Sequence, residues 1–138
     1  RYFNVYGERQ SLDGAYALVM GIFANQMLSG NPMTIRGDGE QRRDFTYVGD
    51  VVDANIKAAN FYRPVSSINH HVVNIGNGDN RSVNQIAHIL GGEVVKVDPV
   101  IEPRQTLADN SNAELILGWT PSENLEQWAT KWKKEIGL

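Results

Sequence analysis

The stretch Gly37–Ala54, GDGEQRRDFTYVGDVVDA, decides how the rest of the chain is interpreted. It opens on a glycine-bounded acidic turn, continues through the guanidinium groups of Arg42 and Arg43, and reaches a β-prone run at Asp44–Val48. A helix is predicted to begin near Asp50, which has the short acidic side chain that caps helices well. This compact unit of turn, arginine, strand and helix predicts a guanidinium held at the edge of a cleft. Its planar fork is suited to binding phosphate or carboxylate.

Spacing alone leaves a second interpretation of the two arginines open. Arg42 and Arg43 could form a solvated charge pair at a hairpin edge, because most surface arginines serve no ligand. The acidic residues Asp44, Asp50 and Asp53 could be grouped as metal ligands. A cap at Asp50 and a brace for the neighbouring turn at Asp44 explain them more simply, so no metal site is predicted.

The composition indicates one globular domain. The chain has 138 residues, of which 41% are hydrophobic and 21% charged, and its net charge is −3. No long basic run is present, which argues against a nucleic-acid surface. The lack of cysteine excludes disulfide scaffolds and cysteine-based zinc or nucleophile sites, and it fits a cytoplasmic location. No apolar run approaches the ~18 residues of a membrane span.

The hydrophobic periodicity predicts a mixture of short strands and helices. Strands are predicted at Tyr2–Val5, Met33–Arg36, His71–Ile75, Glu93–Val97 and, more briefly, Gln105–Asp109. Helices are predicted at Ala15–Leu28, from Asp50 onward, at Val83–Leu90, at Ser111–Leu117 and from Leu125 to Ile136. Trp128 and Trp132 share the apolar face of the last helix and are interpreted as core. The order of elements indicates an α/β or α+β fold.

Two helices carry the sequence signature of a capping box. Ser82 precedes Gln85 by three residues, and Ser111 precedes Glu114 by the same spacing. In such a box the hydroxyl accepts a backbone N–H while the longer side chain reaches back to the cap. Both helices are therefore predicted to begin at these serines.

Several pieces in order resemble the C-terminal half of the extended short-chain dehydrogenase/reductase family, the NAD-dependent sugar-nucleotide epimerases and dehydratases. These pieces are Arg1–Gly7, Asp13–Tyr16, Gly37–Gln41, Arg43–Val48, Asn74–Gly78, Ser82–Asn84, Leu107–Asp109 and Leu117–Pro121. The first two are most similar to the hexose 4-epimerase branch. The resemblance implies an α/β fold, the small mixed substrate-binding portion of a Rossmann-type epimerase. It makes residues 1–138 a nucleotide-sugar binding domain, with 1–14 as the tail of a missing N-terminal Rossmann domain.

The resemblance places the cofactor chemistry outside this chain. The family's glycine-rich phosphate turn and Tyr-x-x-x-Lys pair are absent, since Tyr47 is followed four residues later by Val51 and Tyr16 by Met20. The segment Gly76–Gly78 lacks the strand–turn–helix context that dinucleotide binding requires. The complete enzyme is expected to use NAD, none of it bound by this chain alone. No catalytic residue is predicted here, and whether the chain itself is an enzyme is left open.

The resemblance also supplies candidate substrate-binding residues. Asn4 matches an amide that contacts the phosphate or sugar, with a turn-capping role as the alternative. Arg43 matches the arginine that grips the pyrophosphate, and Ile35 and Arg36 match a strand whose backbone contacts the base. Family members often carry an aromatic residue where Arg36 stands. Arg104 either replaces an arginine that the family usually has five residues earlier, or lies on the surface.

Two functions from different classes follow. The first is the substrate-binding half of an NAD-dependent nucleotide-sugar epimerase or dehydratase, with a UDP-sugar as the expected ligand. The second is a non-catalytic binding or interaction module derived from that fold. Under the first, the missing Rossmann domain is the main partner, and self-association is expected because its absence exposes apolar surface. Neither nucleic acid nor a membrane is an expected partner.

Overall fold

The computed structural model describes residues 1–61 and 72–138. Residues 62–71 lie outside the described part, and with them the start of the strand predicted at His71–Ile75. None of the described helices is long and apolar enough to cross a membrane.

The architecture is α/β, as predicted. The strands are β1 (Val5–Tyr6), β2 (Met33–Arg36), β3 (Arg42–Asp44), β4 (Thr46–Tyr47), β5 (Asn80–Ser82) and β6 (Val94–Val97). The helices are α1 (Val19–Leu28), α2 (Val48–Ala59), α3 (Val83–Leu90), α4 (Ser111–Leu117) and α5 (Leu125–Ile136). Strands β1 and β4 pair in parallel, as do β2 and β6, whereas β3 and β5 pair antiparallel.

The parallel pairing of β2 with β6 brings together the two loops that form the candidate functional site. Met33 faces Val94 and Arg36 faces Val97, so the two strands end side by side. Side chains alternate along β2, which buries Met33 and Ile35 in the core and turns Arg36 outward. The turn after β2 therefore lies next to the loop after β6, although the two are far apart in sequence.

The main core is packed between α1, α3 and α5. The rings of Trp128 and Trp132 stack with centroids 5.1 Å apart, and Tyr6 meets Trp128 edge-on at 4.7 Å. These contacts confirm that the two tryptophans belong to the core. A smaller cluster between α2 and α4 is built around Trp119, whose indole N–H donates to the carbonyl of Asp50.

Two predicted helix starts are wrong. The first helix begins at Val19 rather than Ala15, because Gly14 adopts a positive φ of 84° and closes a turn with Ala17. The second begins at Val48, with Tyr47 as its cap residue and no side-chain cap. Asp50 does not cap it.

The carboxylate of Asp50 turns instead to the segment before α5. It accepts the backbone N–H groups of Ser122 and Glu123 at 3.2 Å and the hydroxyl of Ser122 at 2.7 Å. This long-range contact within the chain replaces the predicted local cap.

The two capping-box predictions have opposite outcomes. The box of Ser82 and Gln85 is present with both of its hydrogen bonds, at 3.2 and 2.8 Å, which confirms the prediction for α3. The capping box predicted at Ser111 is not formed. Asn110 occupies the N-cap position of α4 without a side-chain hydrogen bond, and the Ser111 hydroxyl donates to the Asp109 carboxylate.

Two predicted strands are reduced to single bridges in the part of the chain that is described. Ile75 pairs with Tyr2, and Gln105 pairs with Arg42, but neither neighbouring segment extends the ladder. Strands β2 and β6 agree with the predicted strands to within one residue, whereas β5 was not predicted and the predicted run Asp44–Val48 is divided among β3, β4 and the start of α2.

Candidate functional site

A cleft of about 290 Å³ opens where β2 and β6 end. It is lined by Arg36, Gly37, Asp38, Gln41, Pro99, Val100, Glu102 and Arg104. One wall is therefore the end of β2 with its following turn, and the other is the loop that follows β6. Four of its side chains are charged, two of each sign, which makes it a site for a polar or charged ligand.

Glycine shapes the first wall. Gly37 and Gly39 have φ values of 65° and 77°, a region that other residues rarely adopt. A β-carbon on Gly39 would also lie 2.2 Å from the side chain of Asn84 and 2.8 Å from that of Ile35. The turn can therefore lie tightly over the core and leave the side chain of Asp38 facing the cleft.

The two walls are joined by an ion pair between Arg104 and Asp38. The Nη1 and Nη2 atoms of Arg104 lie 2.8 Å from the Oδ1 and Oδ2 atoms of Asp38, respectively, which is a bidentate contact. One of these oxygens also accepts the backbone N–H of Glu40 at 2.9 Å. The hydrogen bond from Arg104 is the main reason that the pKa of Asp38 falls to about 2. The side chains are 64% and 56% exposed, so the pair contributes little to stability.

A second ion pair lies beside the first. Arg43 donates to the carboxylate of Glu102 and, at 2.8 Å, to the carbonyl of Arg42. The other oxygen of Glu102 accepts the side-chain amide of Gln41 at 3.2 Å. The Arg43 side chain is only 17% exposed, so it is a fixed group. Through Glu102 it reaches the edge of the cleft.

Arg36 supplies a third guanidinium, and this one is free. Within the described residues it has neither a hydrogen-bond acceptor nor a carboxylate partner for its side chain, and it is exposed. Of the five predicted site residues, Arg36 and Arg104 line the cleft, and Arg43 lies beside it through its ion pair with Glu102. Their charges are only partly balanced by Asp38 and Glu102.

The other two predicted residues do not line the cleft. The side-chain amide of Asn4 donates to the carbonyl of Asp44 at 2.8 Å, and Asn4 has a φ of 28°. Ile35 is buried, so any contact with a ligand could come only from its backbone. Their roles in binding stay predictions.

Arg42 is not the solvated residue that the sequence suggested. Its guanidinium donates to the side chain of Asn80 at 2.7 Å and to the same residue's carbonyl at 2.8 Å. These hydrogen bonds link β3 to β5 directly beside Arg43.

Asp44 is a brace, but for distant segments rather than for the neighbouring turn that the sequence predicted, and it binds three backbone donors. Its fully buried carboxylate accepts the N–H groups of Asn77, Gly78 and Ala108 at 2.8 to 3.0 Å. The amides of the Gly76–Gly78 segment are thereby occupied and cannot cradle a phosphate. The segment does not fit a dinucleotide, and no residue group in the described ranges could hold a metal ion.

Three cleft residues were not predicted as site residues. Asp38 and Gln41 lie in the stretch Gly37–Ala54, and Glu102 lies in the loop after β6. The glycine turn at the end of a strand was a usable signal for Asp38. No local signal connects Glu102 to Arg43, because 59 residues separate them in the sequence.

A second cavity of about 260 Å³ lies beside β1. Its lining residues are Val5, Tyr6, Gly7, Glu8, Arg9, Gln10 and Val48. One oxygen of Glu8 accepts the indole N–H of Trp128 and the hydroxyl of Tyr47, both at 3.0 Å, and the Trp128 bond is the largest cause lowering its pKa. Only one carboxylate and one guanidinium line this cavity, which makes it less suited to an anion than the cleft.

The sequence model of the NAD dependent epimerase/dehydratase family matches residues 1–76. A putative UDP-glucose 4-epimerase of Methanocaldococcus jannaschii is 40% identical over 134 residues, which are 92% of this chain and 41% of that protein. The UDP-glucose 4-epimerase of Mycolicibacterium smegmatis is 34% identical over 93% of this chain and 41% of its own length.

Solved structures agree with these relatives. The UDP-glucose 4-epimerase of Thermotoga maritima, determined with UDP-glucose, superposes with a TM-score of 0.82 at 36% identity. It covers 98% of this chain, which matches 45% of that structure. The UDP-glucuronic acid 4-epimerase of Bacillus cereus, determined with UDP-glucuronic acid and NAD, superposes with a TM-score of 0.79 at 33% identity. The match covers 99% of this chain and 43% of that structure. The chain spans less than half the length of each.

Proposed function

The chain belongs to the NAD-dependent epimerase/dehydratase family, and from that premise we propose that it is the substrate-binding half of a nucleotide-sugar epimerase or dehydratase. In this proposal the cleft holds the diphosphate of the nucleotide sugar. Arg36, Arg43 and Arg104 are its cationic contacts. A UDP-sugar is the expected ligand, and a cytoplasmic location is part of the same proposal.

The observation that carries the proposal is that Arg36 and Arg104 line one cleft, with Arg43 held beside it by Glu102. The three guanidinium groups come from the end of β2, from β3 and from the loop after β6, so only the folded chain brings them together. Guanidinium binds phosphate oxygens in two-point fashion, and Arg36 is already free to do so. Asn4 does not line the cleft, and in this proposal its side-chain amide contacts the sugar.

Relatives support the identity of the ligand and of the cofactor. The epimerases from Thermotoga maritima and Bacillus cereus were solved with UDP-sugars, the latter also with NAD. NAD supplies hydride acceptor and donor chemistry in such enzymes. In this proposal the chain itself does not bind NAD. We therefore place its binding on an N-terminal Rossmann half, with residues 1–14 as the connecting tail.

The chain's own contribution in this proposal is positioning. Gripping the diphosphate fixes a part of the substrate that does not react, while the sugar stays able to turn over. Binding energy gained at a remote group then serves to orient the reacting carbon. This division of labour explains why a substrate-binding half can lack catalytic groups.

The alternative is a non-catalytic binding module. The occupied amides of Asn77 and Gly78 and the absence of a lysine four residues after Tyr47 are compatible with both functions. Joining this chain to the N-terminal half of the Methanocaldococcus relative discriminates the two. Epimerisation of a UDP-sugar by the chimera supports the first function. A folded, NAD-binding chimera that binds the UDP-sugar without turnover supports the second.

The proposal is tested by amide NMR titration of the 138-residue chain with UDP, pyrophosphate and uridine. A spectrum detects even millimolar binding and reports at once that the chain is folded. UDP and pyrophosphate should move the amides of Gly37, Asp38 and Arg104, whereas uridine should move them much less. Shifts confined to the cavity beside β1, or no shift at all, would contradict it.

A further inference from the structure

We propose that Asp38 is an internal competitor for the ligand: in the free chain it holds the guanidinium of Arg104, and a diphosphate binds by taking that guanidinium over. The inference rests on the proposed function of the cleft. It adds a specificity-determining residue and a conformational step that the sequence did not indicate.

The geometry of the contact is the first reason. Arg104 reaches both oxygens of Asp38 at 2.8 Å, which is the parallel two-bond arrangement that guanidinium also makes with phosphate. A carboxylate and a diphosphate oxygen pair cannot both occupy this fork. Asp38 therefore stands where an anionic ligand would bind.

One partner of the pair is fixed and the other is free to swing. Asp38 accepts the N–H of Glu40, and its carbonyl accepts the side-chain amide of Asn84 at 3.0 Å. Arg104 is anchored only through its backbone, where its carbonyl accepts the N–H of Arg42 at 2.9 Å. Among the described residues its guanidinium donates hydrogen bonds only to Asp38, although the negative charge of Glu40 also acts on it. The long side chain can rotate about a stationary backbone.

The neighbouring pair makes a useful contrast. The side chains of Arg43 and Glu102 are 17% and 33% exposed, against 64% and 56% for Arg104 and Asp38, and Arg43 is also held by the carbonyl of Arg42. Exposed ion pairs are weak, whereas partly buried ones are screened less by water and salt. A doubly charged diphosphate can therefore displace Asp38 from Arg104 more easily than it can displace Glu102 from Arg43. The first pair exchanges, whereas the second stays formed beside the cleft, and Arg43 contacts the diphosphate with N–H groups that neither Glu102 nor the Arg42 carbonyl occupies.

The test is a double-mutant cycle with UDP as the ligand, measured by NMR titration of the full 138-residue chain. Asp38→Asn keeps an oxygen for the Glu40 N–H and removes the charge. It should tighten UDP binding about fivefold, the equivalent of one exposed ion pair. Arg104→Ala should weaken it. In the Arg104→Ala background, Asp38→Asn should bring little further change, because no guanidinium remains to be released.

Asp53→Asn is the matched control. Asp53 is also an exposed ion-paired aspartate, bound to Lys57 on α2. Its removal should leave UDP affinity unchanged. The side-chain Nε–H signal of Arg104 should also move on adding UDP to the wild type, and should already be displaced in free Asp38→Asn.

The outcomes separate this inference from the proposed function. Wild type that binds UDP in the cleft, with Asp38→Asn no tighter, overturns the competitor role alone. An equal gain with and without Arg104 shows that Asp38 acts only by its charge, which also overturns it. Wild type that shows no binding in the cleft overturns both.

Discussion

The carboxylate of Asp44 shows how much one side chain can organise. It is fully buried, accepts three backbone N–H groups, and joins the turn at 76–79 to the segment before α4. The sequence predicted that Asp44 braces a neighbouring turn, but its three partners lie 33, 34 and 64 residues away. Asp50 was predicted to cap a helix, and its partners at Ser122 and Glu123 are likewise more than seventy residues away. Local spacing predicts local bonds and is silent about distant ones.

Replacing Asp44 is expected to damage the fold. Asp44→Ala leaves the buried N–H of Ala108 and the less buried N–H groups of Asn77 and Gly78 without their acceptor, which should lower the free energy of unfolding by about 2–3 kcal/mol. Urea denaturation followed by tryptophan fluorescence measures this. Asp53→Ala, which removes an exposed carboxylate, should cost less than about 1 kcal/mol. Equal effects of the two variants would contradict the brace.

Arg43 belongs to the same scale and bears on ligand binding. Arg43→Ala should weaken UDP binding by about 1.5–3 kcal/mol, the range of a hydrogen bond to a charged group. The titration that measures it also shows whether the variant is folded. Arg9→Ala removes an exposed guanidinium outside the cleft and should leave the affinity unchanged. Wild-type affinity in Arg43→Ala would remove Arg43 from the site.

At the scale of the element, periodicity predicted most helices and strands but not how their ends are satisfied. Strands β2 and β6 were predicted within a residue, whereas their pairing, which creates the cleft, has no local signature. The Ser82 box formed because an extended backbone precedes α3. Ser111 has the same spacing, but Asp109 takes its hydroxyl and the helix begins one residue earlier than a cap at Ser111 allows.

The two serines give a matched comparison. Ser82→Ala should lower the free energy of unfolding by about 1 kcal/mol, because it removes a true cap. Ser111→Ala should cost no more than about 0.5 kcal/mol, as expected of a surface substitution. Thermal and urea denaturation of both variants measure the difference. A larger loss at Ser111 than at Ser82 would contradict the assignment of the caps.

At the scale of the whole molecule, α2 is apolar on two sides. Val51 and Ala54 are buried against the small core, while Val52 and Ile56 are 52% and 54% exposed on another face together with Val48. A surface helix usually has one apolar stripe. The second stripe is consistent with a surface that the proposed Rossmann half would cover. That half is expected only from the family resemblance.

Exposure of this stripe predicts that the isolated chain self-associates, with loosely held residues near its start. Sedimentation velocity should show a weight-average mass that rises with concentration. The pair Val52→Asp and Ile56→Asp should reduce this rise, whereas Ile101→Asp, at another exposed apolar residue, should not. A monomer at all concentrations, with protected amides from Arg1 to Tyr16, would contradict the prediction.

The most direct measurement is a crystal structure of the chain with UDP-glucose. The diphosphate should lie in the cleft, with its oxygens within hydrogen-bonding distance of the guanidinium groups of Arg43 and Arg104, and with Arg104 released from Asp38. A diphosphate bound elsewhere, such as the cavity beside β1, with Arg104 still paired to Asp38, would contradict the assignment of the cleft.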